Sequence, residues 1–152
     1  MATEIIDGTV QGATVRQSSA THTIYESIVF TRDDGSERRL DKVAVAPSVA
    51  ALLQSGAQGR FYAYTMIDHN GLVAVRTRDG QNAYAIPSGN EKIMMIAAIV
   101  GSAWFAILLA TGGITILGLV AGILGSIGWF VYRKTRIDIR ARYDADSGYT
   151  GS

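Results

Sequence analysis

The sequence predicts a membrane protein of mixed class: a small mostly-β cytoplasmic domain plus a two-helix transmembrane hairpin, with a C-terminal strand returning to the β-domain. Three observations carry this. The forty residues from Ile93 to Tyr132 contain no Asp, Glu, Lys, Arg, His, Asn, Gln or Pro. The residues before them alternate with period two between Gly, Asn and Pro turn signals. The residues after them, Thr135 to Asp144, set Ile137, Ile139, Ala141 and Tyr143 against Arg136, Asp138, Arg140 and Arg142.

These observations divide the chain into a β-rich domain at 1–89, a hairpin at 90–133 with spans at about 93–110 and 114–132, a basic strand or juxtamembrane segment at 134–146, and a disordered tail at 147–152. An α-helix rises about 1.5 Å per residue and a bilayer's hydrocarbon core is about 30 Å thick, so roughly 20 apolar residues make one span. The run is twice that, and Thr111-Gly112-Gly113 supplies the reversal.

The first strand is expected over Glu4 to Val15, with Ile6, Val10 and Val15 apolar and Gly8 and Gly12 as bulge or bend positions. Thr21 to Arg32 follows, with Ile24, Ile28 and Phe30 on one face and Tyr25, Val29 and Thr31 on the other; Glu26 interrupts the first face and marks a bend or bulge. Asp33-Asp34-Gly35 is a hairpin turn and Glu37 to Ala46 the third strand. Pro47 opens a short helix that presents Val49, Leu52 and Leu53 and stops at Gly56. Arg60 to Ile67 is apolar on both faces, so it is either central in a small barrel or covered outside by another element, such as the membrane-proximal helix. A two-residue hairpin is expected at Asn70-Gly71, a strand over Leu72 to Arg78, a turn at Asp79-Gly80 and a last strand over Gln81 to Ile86. The order of elements is that of a small OB-like barrel with one strand to spare; an SH3-like barrel or a curled sheet would read alike. Ser88 to Glu91 matches a capping box at the start of the first span.

Small residues recur at four-residue spacing in both spans: Ala98, Ser102 and Ala106 in the first, and Gly118, Gly122 and Ser126, with Ala121 and Gly125 beside them, in the second. Such stripes let helix backbones approach closely in lipid. Trp129, Phe130 and Tyr132 beside Arg133 and Lys134 form an interfacial anchor. Lys92 precedes the spans, Arg133, Lys134, Arg136, Arg140 and Arg142 follow them, and the reversal carries no charge. The positive-inside rule then puts both termini in the cytoplasm of a multi-pass protein, assigned to a bacterial inner (plasma) membrane. Residues 1–20 do not read as a secretory signal, since Glu4, Asp7 and Arg16 interrupt them.

Chemistry is sparse. The absence of Cys excludes disulfides and Cys-ligated metal. His22 and His69 stand apart, Asp33, Asp34 and Glu37 are only a fragment of a calcium loop, and Ser48 and Ser55 lack a nucleophile-elbow context. No catalytic residue, cofactor, metal or small-molecule substrate is expected, and the chain is read as a non-enzyme. Its favoured role is that of a membrane-anchored interaction or scaffold protein, whose β-domain and small-residue stripes bind a protein partner or another copy. Tyr62, Tyr64 and Tyr84 are the candidate interaction surface, and membrane lipid, another membrane protein or a second copy the expected partners. The alternative is a tethered nucleic-acid barrel that stacks bases on Phe61, Tyr62, Tyr64 or Tyr84 and holds phosphates with Arg38, Arg39, Lys42, Arg60, Arg76 and Arg78. Residues 1–89 carry eight basic against nine acidic residues, which disfavours nucleic acid as a partner. A pore of several hairpins is the minor alternative, with only Ser102, Thr111, Thr115 and Ser126 to line a path.

Overall fold

The computed structural model describes residues 2–65, 69–86, 89–112 and 116–149, with backbone alone at 89–91. They form two compact units: residues 1–87 with 138–152, and residues 88–137.

The first unit holds six strands, β1 (Ala2–Ser18), β2 (Thr23–Arg32), β3 (Glu37–Val45), β4 (Gln58–Thr65), β5 (Asn70–Thr77) and β6 (Asn82–Tyr84), with a short helix α1 (Pro47–Ala50) between β3 and β4. The order β3-β2-β1-β4-β5 closes on itself, because Val43, Ala44 and Val45 pair in parallel with Asn70, Gly71 and Leu72. The result is a closed five-stranded barrel, and the curled-sheet alternative falls. The spare strand β6 pairs with β5 at Ala74 to Arg76, beyond the stretch that β3 occupies.

A small barrel needs sharply coiled strands, and bulges supply them. The first half of β1 pairs with β4 and the second with β2, so this strand is longer than the Glu4–Val15 expected. Gln11 is passed over in the β1–β2 ladder, beside the expected bend at Gly12, and Glu26 is passed over on β2, as its place in the pattern foretold. The Glu26 bulge also corrects the face assignment: it shifts the alternation by one, so Tyr25 rather than Ile24 joins Ile28 and Phe30 in the core.

Inside the barrel pack Ile6, Val10, Tyr25, Ile28, Phe30, Leu40, Val43, Val45, Phe61, Ala63, Leu72 and Val75. The Phe30 and Phe61 rings meet at 4.9 Å between centroids. Pro47 starts α1, Val49 and Leu53 bury against the same core, and Gly56 ends the segment with φ +87°. The turns at Gly35 (φ +83°) and Gly80 (φ +88°) stand where expected. Asn70-Gly71 is not a turn: both residues are paired in β5, with Thr65 and Tyr64, and the Tyr64 ring covers Gly71 where a Cβ would be. Asp68, which with His69 precedes that dipeptide, lies outside the described residues, as do Met66 and Ile67 at the expected end of β4, Ser88 of the capping box, and Gly113 of the reversal.

The second unit contains α2 (Gly89–Ala110) and most of α3 (Ile116–Ala145), two helices long and apolar enough to cross a membrane. Gly112 has φ +80° just after α2. The helices approach through glycine in an antiparallel register. A Cβ on Gly101 would lie 2.6 Å from the Gly122 nitrogen, one on Gly125 2.5 Å from the Ala98 nitrogen, and one on Gly128 3.6 Å from the Met94 Cβ.

The C-terminal strand expected over 135–144 is absent; α3 runs unbroken to Ala145. The reason is helix cooperativity. Adding residues to an existing helix avoids a new nucleation step, and a ten-residue alternation is too short to oppose it. Of its apolar positions only Ile139 is buried and Tyr143 half-buried, four residues apart on one helix side, while Ile137 is 54% exposed and Ala141 is exposed. Of the tail expected at 147–152, residues 150–152 lie outside the described residues, and the Tyr149 amide donates to the Asp146 carbonyl in a turn that follows the helix.

Candidate interaction face

Side chains alternate across a strand, so with Phe61 and Ala63 in the core the β4 residues on either side of Ala63 must point outward. Tyr62 and Tyr64 do so, yet they are only 1% and 7% exposed. A bulge at Val73 turns both Val73 and Ala74 to the same outer side. What covers them comes from far along the chain: Ile139 buries against Tyr62, Tyr64, Val73 and Ala74, with Ile5, Tyr84, Ile86 and Tyr143 around the edge. The doubly apolar β4 is thus explained by an outer cover, from the C-terminal end of α3.

Polar contacts lock this cover in place. The Tyr62 hydroxyl donates to Asp146 Oδ2 at 2.7 Å, and Arg60 Nη1 lies 3.2 Å from Asp146 Oδ1. Arg60 also grips Asp7 with two hydrogen bonds, Nε to Oδ1 at 2.7 Å and Nη2 to Oδ2 at 3.0 Å. Its pKa is therefore raised, by Asp7 first and by Asp146 in addition, and it stays charged. Burial first, and then the bond to Asp146, push the Tyr62 hydroxyl well above its ordinary value. The Arg76 guanidinium sits 3.9 Å from the Tyr143 ring centroid, and its Nη2 donates to the Tyr143 carbonyl at 2.9 Å. Tyr143 meets Tyr62 edge-on at 5.4 Å and Tyr84 at 5.2 Å, and the Arg60 guanidinium lies 4.7 Å from the Tyr149 ring.

The three tyrosines proposed from sequence are thus brought together, but beneath a cover. Phe61, assigned to base stacking in the nucleic-acid alternative, is in the barrel core. The proposed phosphate contacts are engaged as well: Arg38 with Glu4, which also holds Arg32; Arg39 with Asp41; Arg78 with Asp33. Lys42 is exposed, with a positive φ of 51° beside the Glu26 bulge. Arg60 and Arg76 carry the cover. Ile139 and Tyr143 belong to the apolar set expected on the returning segment, which meets the barrel as a helix rather than a strand. Asp146 and Tyr149 stand outside that expectation, and the spacing of Ile139, Tyr143 and Asp146, four and then three residues, is the helical signal that points to Asp146.

Among the described residues no group of His and carboxylates could hold a metal ion. His22 Nδ1 sits near the Ser19 and Thr21 hydroxyls, and the His69 ring lies 6.2 Å from that of Tyr64. Asp33 faces Arg78, and Asp34 accepts from the Ser36 hydroxyl and amide, which holds its carboxyl below the usual range.

In the helical unit, Ala98, Ser102, Gly118, Ala121, Gly122 and Gly125 lie at the contact between helices. Ser126 donates to the Gly122 carbonyl of its own helix at 2.7 Å, and Ala106 is exposed. Gly101, Met94 and Gly128 are contact residues outside the predicted stripes. Of the anchor residues, Phe130 is exposed, Tyr132 half-buried, Arg133 and Lys134 exposed, and the Arg133 guanidinium stands 5.1 Å from the Trp129 ring. No protein-family model, curated protein or solved structure matches the chain.

Proposed function

We propose that this chain is a membrane-anchored, non-enzymatic interaction protein, with an OB-like barrel carried on a transmembrane hairpin and both termini in the cytoplasm of a plasma membrane. The observation that carries the reading is the surface of the two helices: Ile93, Ile99, Trp104, Ile107 and Leu117 project from them largely exposed. Apolar side chains on this scale need lipid or another apolar surface around them. The OB-like reading of the barrel rests on α1 between β3 and β4 and the parallel β3–β5 closure. The basic residues from Arg133 to Arg142 support the cytoplasmic placement of the C-terminus.

An interaction role follows from what the anchored parts offer. Small residues open the helices to close approach, and the barrel's outer face already holds a helix by aromatic and charged contacts. Purification of the full chain in mild detergent, with its mass read by light scattering, tests this: an oligomer or a co-purifying membrane protein is expected, and a lone monomer counts against it. Reporter tags on the two termini should map to one compartment, and opposite compartments would remove the hairpin.

A further inference from the structure

The cover on the outer barrel face satisfies that face incompletely. Among the described residues, the Arg76 Nε–H is buried without an acceptor, and no carboxylate pairs with the Arg76 guanidinium. The cation is held by one backbone carbonyl and one aromatic ring. A buried donor left unmade weakens a contact by more than an average hydrogen bond contributes, because its desolvation is not offset. Arg60, by contrast, has carboxylates on two sides.

The resident segment also has a definite chemistry. It is helical, buries one aliphatic side chain (Ile139), places an aromatic ring (Tyr143) on a guanidinium one turn later, and gives a carboxylate (Asp146) to an arginine and a tyrosine hydroxyl three residues on. We propose that the barrel face of Arg60, Tyr62, Arg76 and Tyr84 is a recognition site for a helical segment of a partner protein that carries an aromatic residue and a carboxylate one turn apart, and that residues 139–149 are the resident occupant it displaces. Charge complementarity favours this partner: its carboxylates meet two arginines, and one that reaches Arg76 supplies the acceptor the resident lacks. The proposal rests on the interaction role above and gives it a place on the molecule.

The probe is a fluorescein-labelled peptide with the sequence of residues 137–149, titrated by anisotropy against the full chain in detergent. In the wild type the resident segment competes from an effective concentration in the millimolar range, so binding is weak. The double variant Tyr143→Ala/Asp146→Asn weakens the resident and leaves the face intact; it should bind the peptide at least about tenfold more tightly, and adding Arg76→Gln should reverse the gain. Hydrogen exchange of the β4 and β5 amides reports whether the opened barrel stays folded; if it does not, Tyr149→Ala, which removes the ring on Arg60 and the hydroxyl beside Arg78, serves as the opened variant. Equal affinity for wild type and opened variant, or no binding to either, overturns the proposal. An oligomer that ignores the peptide removes this site while the interaction role stands; a lone monomer that binds it keeps this site and removes association through the helices.

Discussion

Gly8 and Gly59 stand opposite each other where β1 passes from β4 to β2. A Cβ on Gly8 would overlap the Thr31 carbonyl oxygen, and one on Gly59 the Arg76 carbonyl oxygen. Neither neighbour can yield, because each is backbone in a ladder. Gly8→Ala or Gly59→Ala should therefore cost about 1–3 kcal/mol or more in urea unfolding. Gly12→Ala, where nothing lies within 4 Å, should be neutral or slightly stabilising. Tyr62 yields a prediction in pH. Its folded pKa is raised above an ordinary value of 10.0, so folding favours the neutral hydroxyl. The stability this contributes is complete below about pH 10 and is lost as pH rises from there toward the folded pKa. Thermal melts from pH 8 upward should show the alkaline decline, and Tyr62→Phe should flatten it while lowering stability at neutral pH through the lost bond to Asp146.

For the elements, the contested segment is the end of α3. As a strand it would place Ile137 and Ile139 on one face; as a helix it separates them by 200°, and only Ile139 is buried. Ile139→Ala should cost roughly 2–5 kcal/mol of barrel stability, and Ile137→Ala within about 0.5 kcal/mol. Equal effects would restore the strand. The helix pair permits a covalent test, since the chain has no cysteine of its own. The Met94 Cβ and the Cβ position at Gly128 are 3.6 Å apart, inside the range a disulfide spans. Met94→Cys/Gly128→Cys should oxidise within one chain and shift its mobility on a non-reducing gel, and a product crosslinked only between chains would contradict the pairing.

For the whole molecule, the barrel domain is discontinuous: residues 138–149 complete a unit that begins at the N-terminus. Truncation after Ile137 would uncover Tyr62, Tyr64 and Val73 and remove Asp146 from Arg60. Full burial of a side chain such as Ile139 stabilises by about 1.5–3 kcal/mol, and the half-buried Tyr143 and the Asp146 contacts add to it, so the truncated chain should lose several kcal/mol. Hydrogen exchange should quicken first in β4 and β5; unchanged protection there would mean that the segment contributes nothing to the fold.

The sequence by itself determined what depends on neighbours along the chain. The uncharged run declared two apolar helices on either side of a glycine reversal, Gly35, Gly56 and Gly80 mark real reversals, and Glu26 announced its bulge. The doubly apolar β4 offered two readings, a central barrel strand or an outer cover, and both hold: it is a barrel strand with its outer face covered. Only the tertiary structure decided three other matters. Whether Asn70-Gly71 turns or pairs depended on where Tyr64 packs. Which of Ile24 and Tyr25 points inward depended on how the Glu26 bulge shifts the face. Whether residues 135–144 extend as strand or helix, and so which side chains meet Tyr62, depended on helix propagation along α3 and on a face far back along the chain, which no local period records.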